Sequence, residues 1–297
     1  MYSDFRELTD SKVAVQSTLV VAAAHDLHTL EAVYAAAREF GTQYVLVGDR
    51  EKIVSISADI GISPDSEAIV DGGADDSTCA NIAVDLIRTG GGNALMKGII
   101  NTGTLLKAVL NKDAGVRGSG TLSHLAILKT PGYHKLIGIT DGGMIPNPTF
   151  EQKIDIVKNA AGYFRSLGYD KPKVAAICAS ESVSPKIQET VEAAELQVMC
   201  EKGELGECLL EGPISFDLAI SKESAEIKGF RSDISGETDI LLVPNITAGN
   251  VLVKGLIYCA GAKMAGCVIG AKVPIVLVSR GASAEEKQLS ILISTLS

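Results

Sequence analysis

The sequence predicts an α/β protein with two domains flanking a cleft. Three observations carry that expectation. The chain has 297 residues, more than an ordinary single domain needs to bury its core. Short apolar runs, such as 17–23, 44–47 and 275–278, alternate with segments of helical periodicity, the pattern of strands buried in a parallel sheet. Each run also ends in small or polar residues, the place where such folds put ligands.

Taken in order, residues 17–23 read as a strand, and Leu30, Val33, Tyr34 and Ala37 recur at helical spacing behind it. Residues 44–47 then complete a β-α-β unit. His25 and His28 stand three apart at the strand-to-helix junction; with no further ligand cluster nearby, they read as loop caps rather than a metal pair. Residues 67–71, a helix near 75–89 and the strand 94–98 repeat the pattern. Lys97 ends that strand, and Thr102, Gly103 and Thr104 begin a helix reaching about Asn111. Free backbone N–H groups at such a start favour a phosphate or carboxylate, with Lys97 as an added point charge; the competing reading is a plain cap and a solvated lysine. The loop GVRGSG (115–120) is neither a P-loop nor a dinucleotide fingerprint, which leaves Arg117 as a loop cation within reach of an anion.

Strands at 123–129 and 135–140 are joined by TPGYH, either as a long hairpin or as the crossing between domains. Thr149 with Gln152 signals a capping box for a helix running to about Leu167. A strand at 173–179 precedes a helix from about Pro185 to Leu196. Residues 211–213 read as a turn, followed by a short helix at Phe216–Asp217. A strand at 240–243 leads to a helix through Lys263. The apolar stretch 256–278 contains Lys263 and Lys272, which are costly in a bilayer, so it reads as helix, strand and strand. The last apolar run breaks at Ser279, Arg280 and Gly281. Ser283, with Glu285 and Glu286 behind it, then caps the final helix. By itself Arg280 is either a surface residue or a cation at the mouth of a crevice.

Composition narrows the function. A formal charge of −9 disfavours nonspecific nucleic-acid binding, which needs a basic footprint. Six cysteines without a C-x-x-C pair or zinc-like spacing read as reduced, mostly buried thiols of a cytoplasmic protein. The start, MYSDFRELTD, carries no signal-peptide pattern. No G-x-S-x-G motif, metal-carboxylate cluster or nucleotide fingerprint is visible, which disfavours a hydrolase or a dehydrogenase.

The blocks MKGIINTGTLLKAVL (96–110), LSHLAILKTPGYHKLIGITDGG (122–143), PTFEQKIDIVKNA (148–160), EGPISFDLAIS (211–221), DILLVPNITAGN (239–250) and GAKVPIVLVSRG (270–281) resemble the phosphate acetyl/butyryltransferase family, above all its butyryltransferase branch. The resemblance runs in family order across nearly the whole chain. It implies two α/β domains of the isocitrate/isopropylmalate dehydrogenase-like fold, usually as a homodimer, with the chain returning so that 1–130 and 272–297 form the first domain and 131–271 the second. It also implies the reaction acyl-CoA + phosphate ⇌ acyl phosphate + CoA, with coenzyme A as co-substrate, no tightly bound cofactor and no metal. The alternatives are an acetyl-specific enzyme, or a non-catalytic protein that binds coenzyme A or an acyl phosphate.

The resemblance assigns roles to Ser279, Arg280 and, seven residues after the serine, Glu286. A fixed guanidinium at Arg280 holds phosphate oxygens by two parallel hydrogen bonds. Ser279 orients the thiol or donates to the oxyanion. Glu286 is either a base or a first-turn charge on the solvent face. An ordinary glutamate is weaker than a thiol by about four pKa units, about 5.7 kcal/mol, so a base here needs burial or must act only as sulfur attacks. Acetyl-transferring relatives carry aspartate at that position. Lys97, Thr102, Thr104, Arg117 and Asp141 are candidates for the phosphate end. Some of those relatives have cysteine after the aspartate where this chain has Gly142; that is compatible with direct transfer in a ternary complex and with space for a longer acyl chain.

Overall fold

The computed structural model describes residues 1–11, 17–278 and 281–296. Ser279 and Arg280 therefore lie outside the described residues. Helix α1 (Phe5–Ser11) is followed by β1 (Thr18–Ala22), α2 (Leu27–Phe40), β2 (Gln43–Gly48), α3 (Arg50–Asp59), β3 (Ile69–Asp71), α4 (Asp76–Arg88), β4 (Ala94–Lys97) and α5 (Thr102–Val109). Next come β5 (Ser123–Lys129), β6 (Ile137–Thr140), α6 (Phe150–Ser166), β7 (Lys173–Ile177), α7 (Gln188–Glu201), β8 (Leu209–Ile214), α8 (Phe216–Ile220) and α9 (Lys222–Lys228). The chain ends with β9 (Ile240–Leu242), α10 (Ile246–Ala260), β10 (Lys263–Ile269), β11 (Ile275–Val276) and α11 (Ala284–Thr295).

Capping explains where many of these helices begin. Asp26, Asp49, Asp75 and Asn101 each accept a backbone hydrogen bond from the first turn of α2, α3, α4 and α5, satisfying donors that have no partner inside the helix. Thr149 and Gln152 form the expected capping box on α6. Helix α10 stops at Gly261, whose φ of 69° closes it in the left-handed conformation. Lys263 consequently opens a strand instead of ending a helix.

Two compact units emerge: Thr9–Ser119 with Ala265–Ser297, and Met1–Leu8 with Gly120–Met264. The sequence boundaries at 130 and 272 fall elsewhere. A cut at 130 would part β5 from β6, its antiparallel partner from Leu125↔Thr140 to Leu128↔Ile137. In the unit formed by 9–119 and 265–297, the strand order is β3-β2-β1-β4-β11-β10, parallel as far as β11. Leu19, Val21, Leu30, Val33, Leu46, Ile53, Met96 and Ile291 fill its core from the strands and from α2, α3 and α11. In the unit of 120–264 the order is β5-β6-β9-β7-β8, parallel from β6 onward. Strand β8 occupies the turn expected at 211–213. Its ladder with β7 shifts register there, so Pro213 sits where no ladder donor is required.

A buried ion pair anchors the amino ends of the strands in this unit. The Lys135 ammonium donates to Asp239 Oδ1 at 2.7 Å and to the Glu237 carbonyl at 2.6 Å, while Asp239 Oδ2 accepts the Lys173 N–H at 2.8 Å. One carboxylate thus fixes the starts of β6, β9 and β7. Removing it strands a buried ammonium, which typically costs about 3–5 kcal/mol. Asp239→Ala should lower stability by that amount, read as a fall in urea midpoint at unchanged m-value.

Candidate active site

Each unit has one point where the chain reverses the direction in which it adds strands, and crevices form at the carboxyl ends there. In the unit of 120–264 the reversal lies between β7 and β9. The cavity at that place is only about 10 Å³ and is lined by Ile177, Cys178, Val243 and Pro244 with Lys153 and Glu192. Lys153 and Glu192 form a largely buried ion pair, and the remaining space holds about one water.

In the unit formed by 9–119 and 265–297 the reversal lies between β1 and β4, and there the space is open. A cavity of about 440 Å³ is lined by Asp26, His28 and Thr29 from the start of α2, by Met96, Lys97, Gly98 and Ile99 from the end of β4, and by Val278 and Lys287. Two loops are pressed together to build it. Gly98 N–H donates to the Ala22 carbonyl at 2.9 Å and Ile99 N–H to that of Ala23 at 3.0 Å. Ala23 adopts φ 56°, a conformation few side chains tolerate. A Cβ on Gly98 would lie 2.1 Å from the Ala23 oxygen. Only glycine fits.

The expected site residues take different places. Lys97 lines the cavity, but its ammonium donates to the carbonyls of Gly98 and Ile100 at 3.1 and 3.0 Å, so it braces the loop as well as charging it. Thr102 is exposed and Thr104 half-buried in the first turn of α5; neither lines this cavity. Arg117 pairs through its backbone with Ala271 and leaves an exposed side chain. Glu286 is half-buried at the third position of α11, where its N–H donates to the Ser283 cap. Burial pushes its carboxyl above the ordinary range, against Lys287 and the backbone of Ser283. It is therefore not a solvent-face charge. The cavity is faced instead by the next residue, Lys287, which the sequence reading passed over.

Asp141 belongs to a different cluster, in the unit of 120–264. Its carboxylate is buried and accepts the N–H groups of Gly143 and Met144 at 2.8 Å and that of Ile145 at 3.2 Å. An anion engaged in this way shapes the loop and has no attraction for phosphate. His124 packs beside it on β5, its Nδ1 enclosed without a hydrogen-bond partner among the described residues. Desolvation lowers its pKa while Asp141 pulls the other way. The space expected at Gly142 is filled, since a Cβ there would come within 3.0 Å of the Gly249 backbone. His25 caps a loop as read, accepting the Asp49 N–H at 3.2 Å, while the exposed His28 faces Glu31.

The comparisons decide what this framework serves. Residues 76–295 match the family model described as phosphate acetyl/butaryl transferase. The chain belongs to that family. A phosphate butyryltransferase of Clostridium acetobutylicum is 39% identical over 94% of this chain and 92% of its own. A phosphate acetyltransferase of Thermotoga maritima is 38% identical, covering 94% of each. A branched-chain phosphotransacylase from Enterococcus faecalis V583 superposes with a TM-score of 0.81 at 33% identity, over 95% of this chain and 98% of that one. The expected dehydrogenase-like fold is met too: a 4-hydroxythreonine-4-phosphate dehydrogenase from Klebsiella pneumoniae shares the fold with a TM-score of 0.56 at 14% identity, over 94% and 98% of the two chains. This member of the phosphate acetyl/butaryl transferase family is a transferase on the same α/β framework. Among the described residues no group of three or more His, Cys, Asp or Glu is placed to hold a metal, and no helix is long and apolar enough to cross a membrane.

The loop crossing at Gly98 leaves no space for a side chain. Gly98→Ala must displace the β4–α5 loop from the cavity floor. Displacements of about 1 Å cost about a hundredfold in rate, so kcat/KM should fall by at least that factor in a protein whose far-ultraviolet circular dichroism is retained.

Proposed function

We propose that this enzyme moves a short, butyryl-like acyl group between coenzyme A and inorganic phosphate by direct transfer in a ternary complex. The single observation that carries the reading is the open cavity at the β1–β4 reversal, with Lys97, Lys287 and the start of α2 beside an apolar wall of Met96, Ile99 and Val278. Cations suit the phosphate end, and the wall suits a short aliphatic chain. The overall charge of −9 makes such local cations necessary for anionic substrates.

In the thiolysis direction the coenzyme A sulfur attacks the acyl phosphate carbonyl, an oxyanion forms, and phosphate leaves. Glu286, which adjoins the cavity-lining Lys287 without lining the cavity itself, takes the thiol proton, a role that rests on the family resemblance. Its burial narrows the gap to a thiol of pKa about 8.5. Arg280 holds the departing phosphate and Ser279 orients the sulfur, roles that rest on the sequence and the family resemblance. Lys97 and Lys287 add positive potential, Thr102, Thr104 and Arg117 remain candidates for the phosphate end, and Asp141 positions its loop. Cytoplasmic operation as a homodimer completes the proposal. Helix α10 offers the dimer a surface, since it leaves Val251 at 66% and Tyr258 at 81% exposure on the face that also carries the exposed Lys254.

Phosphate-dependent release of coenzyme A from butyryl-CoA, followed with a thiol reagent, tests the activity; absence of release sinks it. Arg280→Ala should lose most of that rate. With Glu286 as base, the acid limb of kcat/KM for thiolysis lies above the ordinary carboxylate range, because only the ionised form accepts the proton. Glu286→Gln should lose that limb and about a hundredfold in rate at neutral pH, recovering as the thiol ionises itself at alkaline pH. An unchanged profile removes the base. Tyr258→Glu should shift light-scattering mass toward the monomer.

A further inference from the structure

We propose that Cys200 and Cys208 form a redox-active dithiol that low-molecular-weight disulfides oxidise to an intramolecular disulfide. Cys200 lies in the last turn of α7 and Cys208 immediately before β8. Their sulfurs are 3.6 Å apart. Closing to a bond of about 2.0 Å needs an approach of about 1.6 Å. The intervening loop can supply that movement: Gly203 and Gly206 turn at φ 77° and 84°, and no atom lies within 4 Å of where either would carry a Cβ.

Both cysteines line one cavity of about 640 Å³ at the amino end of β8, far from the strand carboxyl ends of their unit. The two cysteines differ in the way such chemistry requires. Cys200 is half-buried and reachable, whereas Cys208 is buried. The Cys208 thiol, a backbone N–H of Leu210 and the charge of Lys171 pull the Cys200 pKa down to about 7 against desolvation and Glu201. Hydrogen bonding to Cys200 and burial push the Cys208 thiol up. Cys200 is then the attacking thiolate and Cys208 the resolving thiol. Lys171 and Arg231 are outnumbered at the cavity by Glu201, Glu211 and Asp233, so a neutral or zwitterionic disulfide suits it better than an anionic one.

The balance is complete. The Cys200 thiolate attacks one sulfur of RS–SR, that bond breaks, and RS⁻ leaves and takes a proton. Cys208 gives up its proton and attacks the Cys200 sulfur, expelling the second RS⁻. Two protein thiols are oxidised and one small disulfide is reduced to two thiols.

The test treats the full-length protein with bis(2-hydroxyethyl) disulfide, caps remaining thiols by alkylation and reads the peptides by mass spectrometry. The expected product links 200 to 208 with the loss of two hydrogens and is reversed by dithiothreitol. Cys208→Ser should stop at a mixed disulfide on Cys200, and Cys200→Ser should leave Cys208 reduced; Cys208→Ala serves if the serine variant fails to fold. The exposed Cys259 is the internal control and should give only a mixed disulfide. An adduct that persists on Cys200 in the native chain, reaction confined to Cys259, or no reaction overturns the proposal.

Discussion

Where β1 ends, the backbone turns through Ala23 at φ 56° and presents two carbonyls to the loop leaving β4. That loop can accept the approach only because residue 98 has no side chain. The form of the open cavity depends on this crossing. It sets the floor of the cavity, aims the first turn of α5, and returns the Lys97 ammonium onto the Gly98 and Ile100 carbonyls. The lysine is held by groups that themselves exist only because the loops touch. A parallel sheet supplies the reversal of strand order; the glycine converts it into a rigid wall.

The two reversal points show how one architecture yields an open site and a closed one. Between β7 and β9 the Lys153–Glu192 pair occupies the crevice and leaves space for about one water. Between β1 and β4 the side chains stand around the opening instead of across it. Charge follows the same division. The closed crevice neutralises its cation internally, while the open one is lined by Lys97 and Lys287 with one carboxylate, Asp26, among the described residues. Half-burial of Glu286 beside this region disfavours its charged form, which is what a carboxylate needs before it can compete for a thiol proton.

The strands, the capped helices and the family were legible because they rest on local physics: apolar runs, aspartates after strand ends, and Thr149 with Gln152. Strand β8 was hidden, since Gly212–Pro213 carries the same signal in a register shift as in a turn. Helix α7 begins three residues later than Pro185 suggests. Its entry is organised by Thr190, whose hydroxyl donates to the Ser184 and Ile187 carbonyls, a tertiary detail that spacing does not reveal. Lys287 carried a signal in the face of the last helix that turns toward the strand ends, one masked by its acidic neighbours Glu285 and Glu286. His124 had a weaker signal, a polar residue beside Ser123 at the start of a strand whose centre is apolar. Asp141 misled because an aspartate after a strand looks alike whether it meets a ligand or its own backbone.

The glycine at 142 shows why residue identity alone does not measure room. Its missing side chain is matched by Gly249 on α10, so two backbones meet where a longer acyl chain was expected to fit. On the proposed reading, selection among acyl groups then falls to the apolar wall of Met96, Ile99 and Val278. Burying the two extra methylenes of butyryl over acetyl contributes about 1.6 kcal/mol at most, a preference on the order of tenfold. A hydrophobic pocket discriminates poorly at that scale. Small changes in such a wall are enough to exchange one preference for the other, which fits a chain about equally similar to a butyryl-transferring and an acetyl-transferring relative.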